Sequence, residues 1–203
     1  MKKICLIIVI CLFLAPAAFA SYIDFREESV FGDALGKTCF ATTVDGLDLI
    51  FKPYPSGATL WWDDQDGFGV QFDYEQDEIE GDELLKLRFS MEVYVEEIHI
   101  TDLFNEWGYQ EFGAYRLDNE PLWNPFFAAE DQLIGQTNGE LTLLVGEWAQ
   151  LITFWAPGKI GFQNHDFAVA GVDVDPIPIP GSVFLLGSGL LVLLRFSRKR
   201  RNL

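Results

Sequence analysis

The densest chemistry in the chain is carboxylate. Asp63-Asp64-Gln65-Asp66-Gly67 is followed closely by Asp73, Glu75, Asp77, Glu78, Glu80, Asp82 and Glu83. Calcium is a hard cation that takes about six to eight oxygen ligands, and closely spaced aspartates around a glycine turn can supply them. Asp63, Asp64, Asp66, Asp73 and Asp77 are therefore the candidate ligands and calcium the candidate cofactor. The spacing departs from an EF-hand loop, which needs a longer ligand series closed by a glutamate. The competing reading is a solvated acidic loop, in which Asp and Gly make turns and charge keeps strand edges apart. Trp61 and Trp62 stand just before these carboxylates. Adjacent strand residues point to opposite faces, so one indole of the pair should face solvent, where it can stack on a sugar ring. Trp61 and Trp62 are thus the candidate carbohydrate contacts, although most of the six tryptophans are expected in the core.

Catalysis finds less support. Two carboxylates at a set separation can hydrolyse a glycosidic bond, but an abundance of carboxylates is not such a constellation. No Gly-x-Ser-x-Gly, His-Glu-x-x-His or phosphate-cradling glycine motif is present, and His99 and His165 lie far apart in the sequence. Cys39, within Thr38-Cys39-Phe40-Ala41-Thr42, reads as a small buried hydrophobe rather than a reactive thiol. The expectation is a protein that is not an enzyme, with a glycosidase as the weakest alternative.

The elements that must position these residues are strands. In Leu85-Lys86-Leu87-Arg88-Phe89-Ser90 apolar and polar side chains alternate, as a half-buried strand requires. Similar runs occur at 47–52, 59–62, 70–74, 92–95, 97–101, 111–117, 141–145, 150–155 and 166–172. The apolar phase shifts between Val93/Val95 and Ile98/Ile100, which predicts a bulge or bend at Glu96-Glu97. Many short strands between turn residues, with no long amphipathic helix, predict an antiparallel β-sandwich of jelly-roll or immunoglobulin-like type over residues 21–176. All 31 acidic residues fall in this stretch against seven basic ones, a formal charge of −24. Such a domain repels nucleic acid, which is excluded as a partner, and attracts cations.

The two ends carry targeting signals. Met1-Lys2-Lys3, an apolar run from Ile4 to Leu14 and the small residues Ala18-Phe19-Ala20 have the order of a secretory signal peptide over residues 1–20, cleaved between Ala20 and Ser21. At the other end Pro178-Ile179-Pro180-Gly181 precedes an uncharged stretch, residues 182–194, and then Arg195, Arg198, Lys199, Arg200 and Arg201 in a basic tail, 195–203. The uncharged stretch makes ~20 Å of helix against ~30 Å of hydrocarbon, a short transmembrane helix. Its basic stop should stay in the cytoplasm and leave the domain outside the inner membrane.

This order of hinge, short apolar helix and basic stop, over residues 177–203, resembles the PEP-CTERM sorting signal read by exosortases, with Ile179 where the family's namesake glutamate stands. Gly67-Phe68-Gly69-Val70, the run Asp77 to Leu84, and Asp166-Phe167-Ala168-Val169-Ala170-Gly171 are similar to segments of PEP-CTERM β-sandwich ectodomains. The resemblance implies an exported protein, held in the inner membrane with its domain in the periplasm and then cut by an exosortase-like membrane protease. It would be released to the cell surface or extracellular matrix, with a structural or binding role linked to extracellular polysaccharide or biofilm. The alternative is a permanently anchored, calcium-dependent carbohydrate-binding module.

Overall fold

The computed structural model describes residues 21–72, 78–81, 83–106, 109–118, 120–131, 139–157 and 165–176. All belong to one of the two units into which the chain divides, Ala20–Pro176. The other unit, Met1–Phe19 with Ile177–Leu203, lies outside the described residues. Outside them too, therefore, are the expected signal peptide, Ala18 and Ala20, the Pro178–Gly181 hinge, the 182–194 helix and the basic residues Arg195 to Arg201. Asp73, Asp77 and Trp107 also fall outside them. Among the described residues no helix is long and apolar enough to cross a membrane.

The described chain runs through β1 (Ser21–Asp24), the single-turn helix α1 (Glu28–Phe31), a 3-10 turn (Gly32–Ala34), β2 (Phe40–Val44), β3 (Leu47–Tyr54), β4 (Thr59–Asp63) and β5 (Gly67–Gln71). It continues through β6 (Leu84–Thr101), β7 (Asn105–Glu106), β8 (Tyr109–Gln110), β9 (Phe112–Leu117), β10 (Asn124–Phe127), β11 (Leu141–Trp155) and β12 (Ala168–Pro176). The fold is all-β and antiparallel, as the alternation predicts. Among the described residues ten strands form one sheet in the order β10-β9-β11-β6-β12-β5-β4, with β1 added to β12 and the β2–β3 hairpin added to β6.

The sheet has two wings because β6 is long enough to serve two neighbourhoods. Its first half pairs with β3, from Leu49↔Phe89 to Tyr54↔Leu84, and its second half pairs with β12, from Ala168↔Thr101 to Pro176↔Val93. β11 follows the opposite side of both halves. Glu96 is skipped in both registers: Val95 and Glu97 pair with Val174 and Asp173 on β12, and with Glu147 and Leu144 on β11. This is the bulge predicted at Glu96-Glu97, and across it the buried set changes from Val93 and Val95 to Ile98 and Ile100. The runs predicted separately at 85–90, 92–95 and 97–101 are thus one strand, as are those at 141–145 and 150–155.

Rings from both wings meet in the interior. Phe51 of β3 stacks on Phe68 of β5 with centroids 4.1 Å apart and planes at 21°, and Phe25 and Phe31 meet both rings edge-on. All four are essentially inaccessible to solvent. Each such burial contributes roughly 1.5–3 kcal/mol, which makes this cluster a substantial part of the core that joins the wings. Gly67 (φ 94°) sits where β5 passes β12, and a Cβ there would run into the Val169 carbonyl oxygen.

Two packing expectations are corrected. Cys39 is exposed, because it occupies the bend before β2, an edge strand paired only with β3. Of the five described tryptophans only Trp62 is buried; Trp61, Trp123 and Trp155 are half-buried and Trp148 is exposed. Phenylalanine fills the interior instead, and the larger indoles cover the outer faces.

Candidate functional site

The acidic run begins in a β-hairpin. Asp63 pairs with Gly67 across a three-residue turn, Asp64-Gln65-Asp66. Asp63 Oδ1 accepts the backbone amides of Gln65 (2.9 Å) and Asp66 (2.7 Å), and Trp61 Nε1 lies 3.4 Å from Asp63 Oδ2. Both oxygens of the first candidate calcium ligand therefore hold the turn together. Asp64 is exposed, and the Asp66 carbonyl accepts a bond from Thr101 Oγ1 at 2.7 Å, which ties the turn to the end of β6. Glu80 and Glu83, further along the run, are buried rather than solvated, and Glu83 Oε2 accepts the Glu80 amide.

Trp61 and Trp62 point to opposite faces, as expected. Trp62 is only 8 % exposed and its Nε1 donates to the Phe25 carbonyl at 2.6 Å. It is a core residue that fastens β4 to the segment after β1, and it cannot stack on a sugar. Trp61 remains half-exposed.

Among the described residues, the side chains close enough to share an ion are Glu97, His99 and Asp173, whose ligand atoms all lie within 4.8 Å of one another. The sheet itself brings them together. Glu97 and His99 alternate with buried Ile98 on β6 and so share the outer face, while Asp173 on β12 is the direct partner of Glu97. His99 Nε2 lies 2.7 Å from Asp173 Oδ2 and 3.8 Å from Glu97 Oε2. On its other side, His99 Nδ1 is 3.3 Å from the hydroxyl of Thr142, its partner on β11. The Tyr22 ring meets the imidazole edge-on at 5.0 Å. Gly171 makes this approach possible, since a Cβ there would meet the Tyr22 ring at 2.9 Å.

A second polar group abuts the first. Arg26 Nε donates to Asp24 Oδ1 at 2.9 Å and its Nη2 donates to the Tyr22 hydroxyl at 3.2 Å; Nη1 stands 3.7 Å from Glu140. Partial burial works against the charged form of Asp24, but the hydrogen bonds and charge of Arg26 outweigh it and hold the carboxyl below its ordinary value. Arg26, bonded to Asp24, is held above its own. Burial, followed by the Asp24 charge, pushes the Tyr22 phenol up. Tyr22, Arg26, His99, Glu140 and Thr142 line a small cavity of about 80 Å³.

One imidazole and two carboxylates form a donor set for a borderline divalent ion such as Zn²⁺. Bonds of about 2.0–2.1 Å in a tetrahedron separate ligand atoms by about 3.3 Å, and the observed 2.7 and 3.8 Å bracket that value. Thr142, His99 and Asp173 also stand in the order hydroxyl, base and orienting carboxylate. The sequence carried half of this site in the alternation Glu97-Ile98-His99-Ile100. The other half is non-local: 74 residues separate His99 from Asp173. No protein-family model matches the chain, and no curated protein matches it in sequence.

Proposed function

We propose that this chain is an exported surface or matrix protein whose β-sandwich ectodomain, of jelly-roll or immunoglobulin-like type, is presented by a C-terminal sorting signal and released by an exosortase-like membrane protease. Its role is structural or binding, directed at extracellular polysaccharide, and it passes from the inner membrane and periplasm to the cell surface.

One observation carries the reading. The contacts within the chain set off Ala20–Pro176 as a compact unit, bounds within a residue of the expected signal cleavage and the expected hinge, and in it β1 pairs with β12 with Ser21 opposite Val174. A domain laid out in this way suits a substrate processed at both ends. Mass-spectrometric identification of the mature termini in the producing cell tests the proposal. A start at Ser21 and an end before Arg195 are expected, whereas a mature chain retaining Arg195 to Leu203 would overturn processing and favour a permanent anchor.

A further inference from the structure

The outer face of the first wing gathers cations on a strongly acidic domain, with Glu92 and Asp118 beside Arg88 at its edge. Lys52, Lys86 and Arg116 lie in one row across β3, β6, β11 and β9, through the direct pairs Lys52↔Lys86, Lys86↔Thr153 and Thr153↔Arg116, with buried Thr153 between the last two cations. Arg88 lies two residues beyond Lys86 on the same face. Four of the seven basic residues between 21 and 176 are thus gathered on one surface of a domain with a formal charge of −24.

Nothing among the described residues accounts for this gathering. Among the described residues, none of the four makes an ion pair with a carboxylate. Like charges directly opposite on neighbouring strands are destabilising, and Lys52↔Lys86 is such a pair. Arg116 packs its guanidinium 4.7 Å from the centroid of Trp123, and its buried Nε has no hydrogen-bond partner among the described residues. Trp123 in turn lies 5.5 Å from Trp155, with planes 40° apart, and both indoles are half-exposed. Strands are ~4.8 Å apart, so the row from Lys52 to Arg116 spans ~14 Å with an aromatic shelf at one end.

We infer that this face binds an acidic polysaccharide, a chain of sugar rings bearing carboxylates. The ammonium and guanidinium groups would pair with the carboxylates, and the indoles would offer flat apolar surface to the C–H faces of the rings. The negative charge of the domain does not forbid it. Exposed charges farther away through solvent than the Debye length at physiological salt, ~8 Å, are largely screened at this face. Anionic lipid offers negative charge as well, but not a succession of sugar faces suited to the indoles. The inference deepens the polysaccharide-binding half of the proposed function and is independent of C-terminal processing.

The test uses the full-length chain in detergent, with polygalacturonate as probe and its fully methyl-esterified form, which keeps the rings and loses the charge, as control. Calorimetric titration should give binding to the acid form that weakens with added salt, and at least ~10-fold weaker binding of the ester. The variant Lys52→Gln/Lys86→Gln should lose about tenfold or more in affinity while its unfolding curve is unchanged. Lys37→Gln, away from this face, should bind as the parent does. No binding of polygalacturonate, equal binding of the ester, or an unaffected Lys52→Gln/Lys86→Gln variant would overturn the inference. Tighter binding to phosphatidylglycerol added to the same detergent micelles, lost in the Lys52→Gln/Lys86→Gln variant, would overturn it as well. A retained C-terminus, which would refute processing, leaves this result untouched.

Discussion

His99 Nε2 lies 2.7 Å from Asp173 Oδ2 on the outer face of the sheet, with Glu97 Oε2 3.8 Å away and Tyr22 packed against the ring. The contact joins β6 to β12 at the side-chain level, alongside their backbone ladder. Asp173→Ala should therefore lower unfolding stability by about 1 kcal/mol, whereas Glu97→Gln, whose oxygen is beyond hydrogen-bond distance, should change it by less. Denaturant titration of both variants checks the ranking, and equal losses would show that the 2.7 Å bond has no special part in stability.

The same three side chains predict a selective response to metal. Zn²⁺ should raise the melting temperature of the parent protein by mass action, and His99→Ala should abolish the rise. Calcium, which prefers oxygen donors, should act equally on both proteins. A zinc-induced rise that survives in His99→Ala would place the ion elsewhere.

Phe51 stacks on Phe68 between the wings, so Phe51→Ala should cost about 3–5 kcal/mol, near the upper range for a single core residue. Gly67→Ala tests the close approach of β5 to β12. Its added methyl would meet the Val169 carbonyl, whereas Gly36, also at positive φ (75°), has open space around its Cβ position. Gly36→Ala should cost roughly 1 kcal/mol from backbone strain alone, and Gly67→Ala distinctly more. Thermal melts showing equal losses would contradict the crowding at Gly67.

Acid should destabilise the domain first through His165. This imidazole is 4 % exposed, packs 4.4 Å from the Phe112 ring, and has no hydrogen-bond partner at either nitrogen among the described residues. Burial pushes its pKa down, with the Asp166 charge opposing. The unfolded imidazole titrates near ~6.5, so the unfolded state takes the proton first and stability falls as pH drops below about 6.5. Asp24 adds a second loss at lower pH: its folded pKa is depressed, so its contribution is complete above about 3.8 and disappears as pH falls through the folded value. Stability measured against pH for the parent and His165→Leu should differ in slope just below about pH 6.5. Identical slopes would remove His165 from the account.

Alternation made much of this fold legible. Leu85, Leu87 and Phe89 announce a strand, and the phase change around Glu96 announces the bulge. Ser21–Asp24 was too short to carry a period, and Phe40–Val44 was missed although Val44-Asp45-Gly46-Leu47 holds an Asp-Gly hairpin signal; both turn residues have positive φ (51° and 83°). Cys39 was misplaced because composition says nothing of which strand lies at an edge. Trp62 was ambiguous until the Phe25 carbonyl identified its partner. Carboxylate spacing does not reveal that Asp63 Oδ1 also accepts the Gln65 and Asp66 amides of its own turn. The Lys52–Lys86–Arg116 row and the His99–Asp173 contact were invisible for one reason: each depends on register between strands distant in sequence.

The placement of β12 has a mechanical consequence. Load entering at Pro176 arrives on a strand held by β6 on one side and by β1 and β5 on the other. An edge strand pulled from its end can peel away one bond at a time. An interior antiparallel strand drawn along its own axis must shear ladders on both sides together, and β12 must also drag Val172 and Val174 out of the apolar interior. The end of the domain at Pro176 is thus gripped by ladders on both sides.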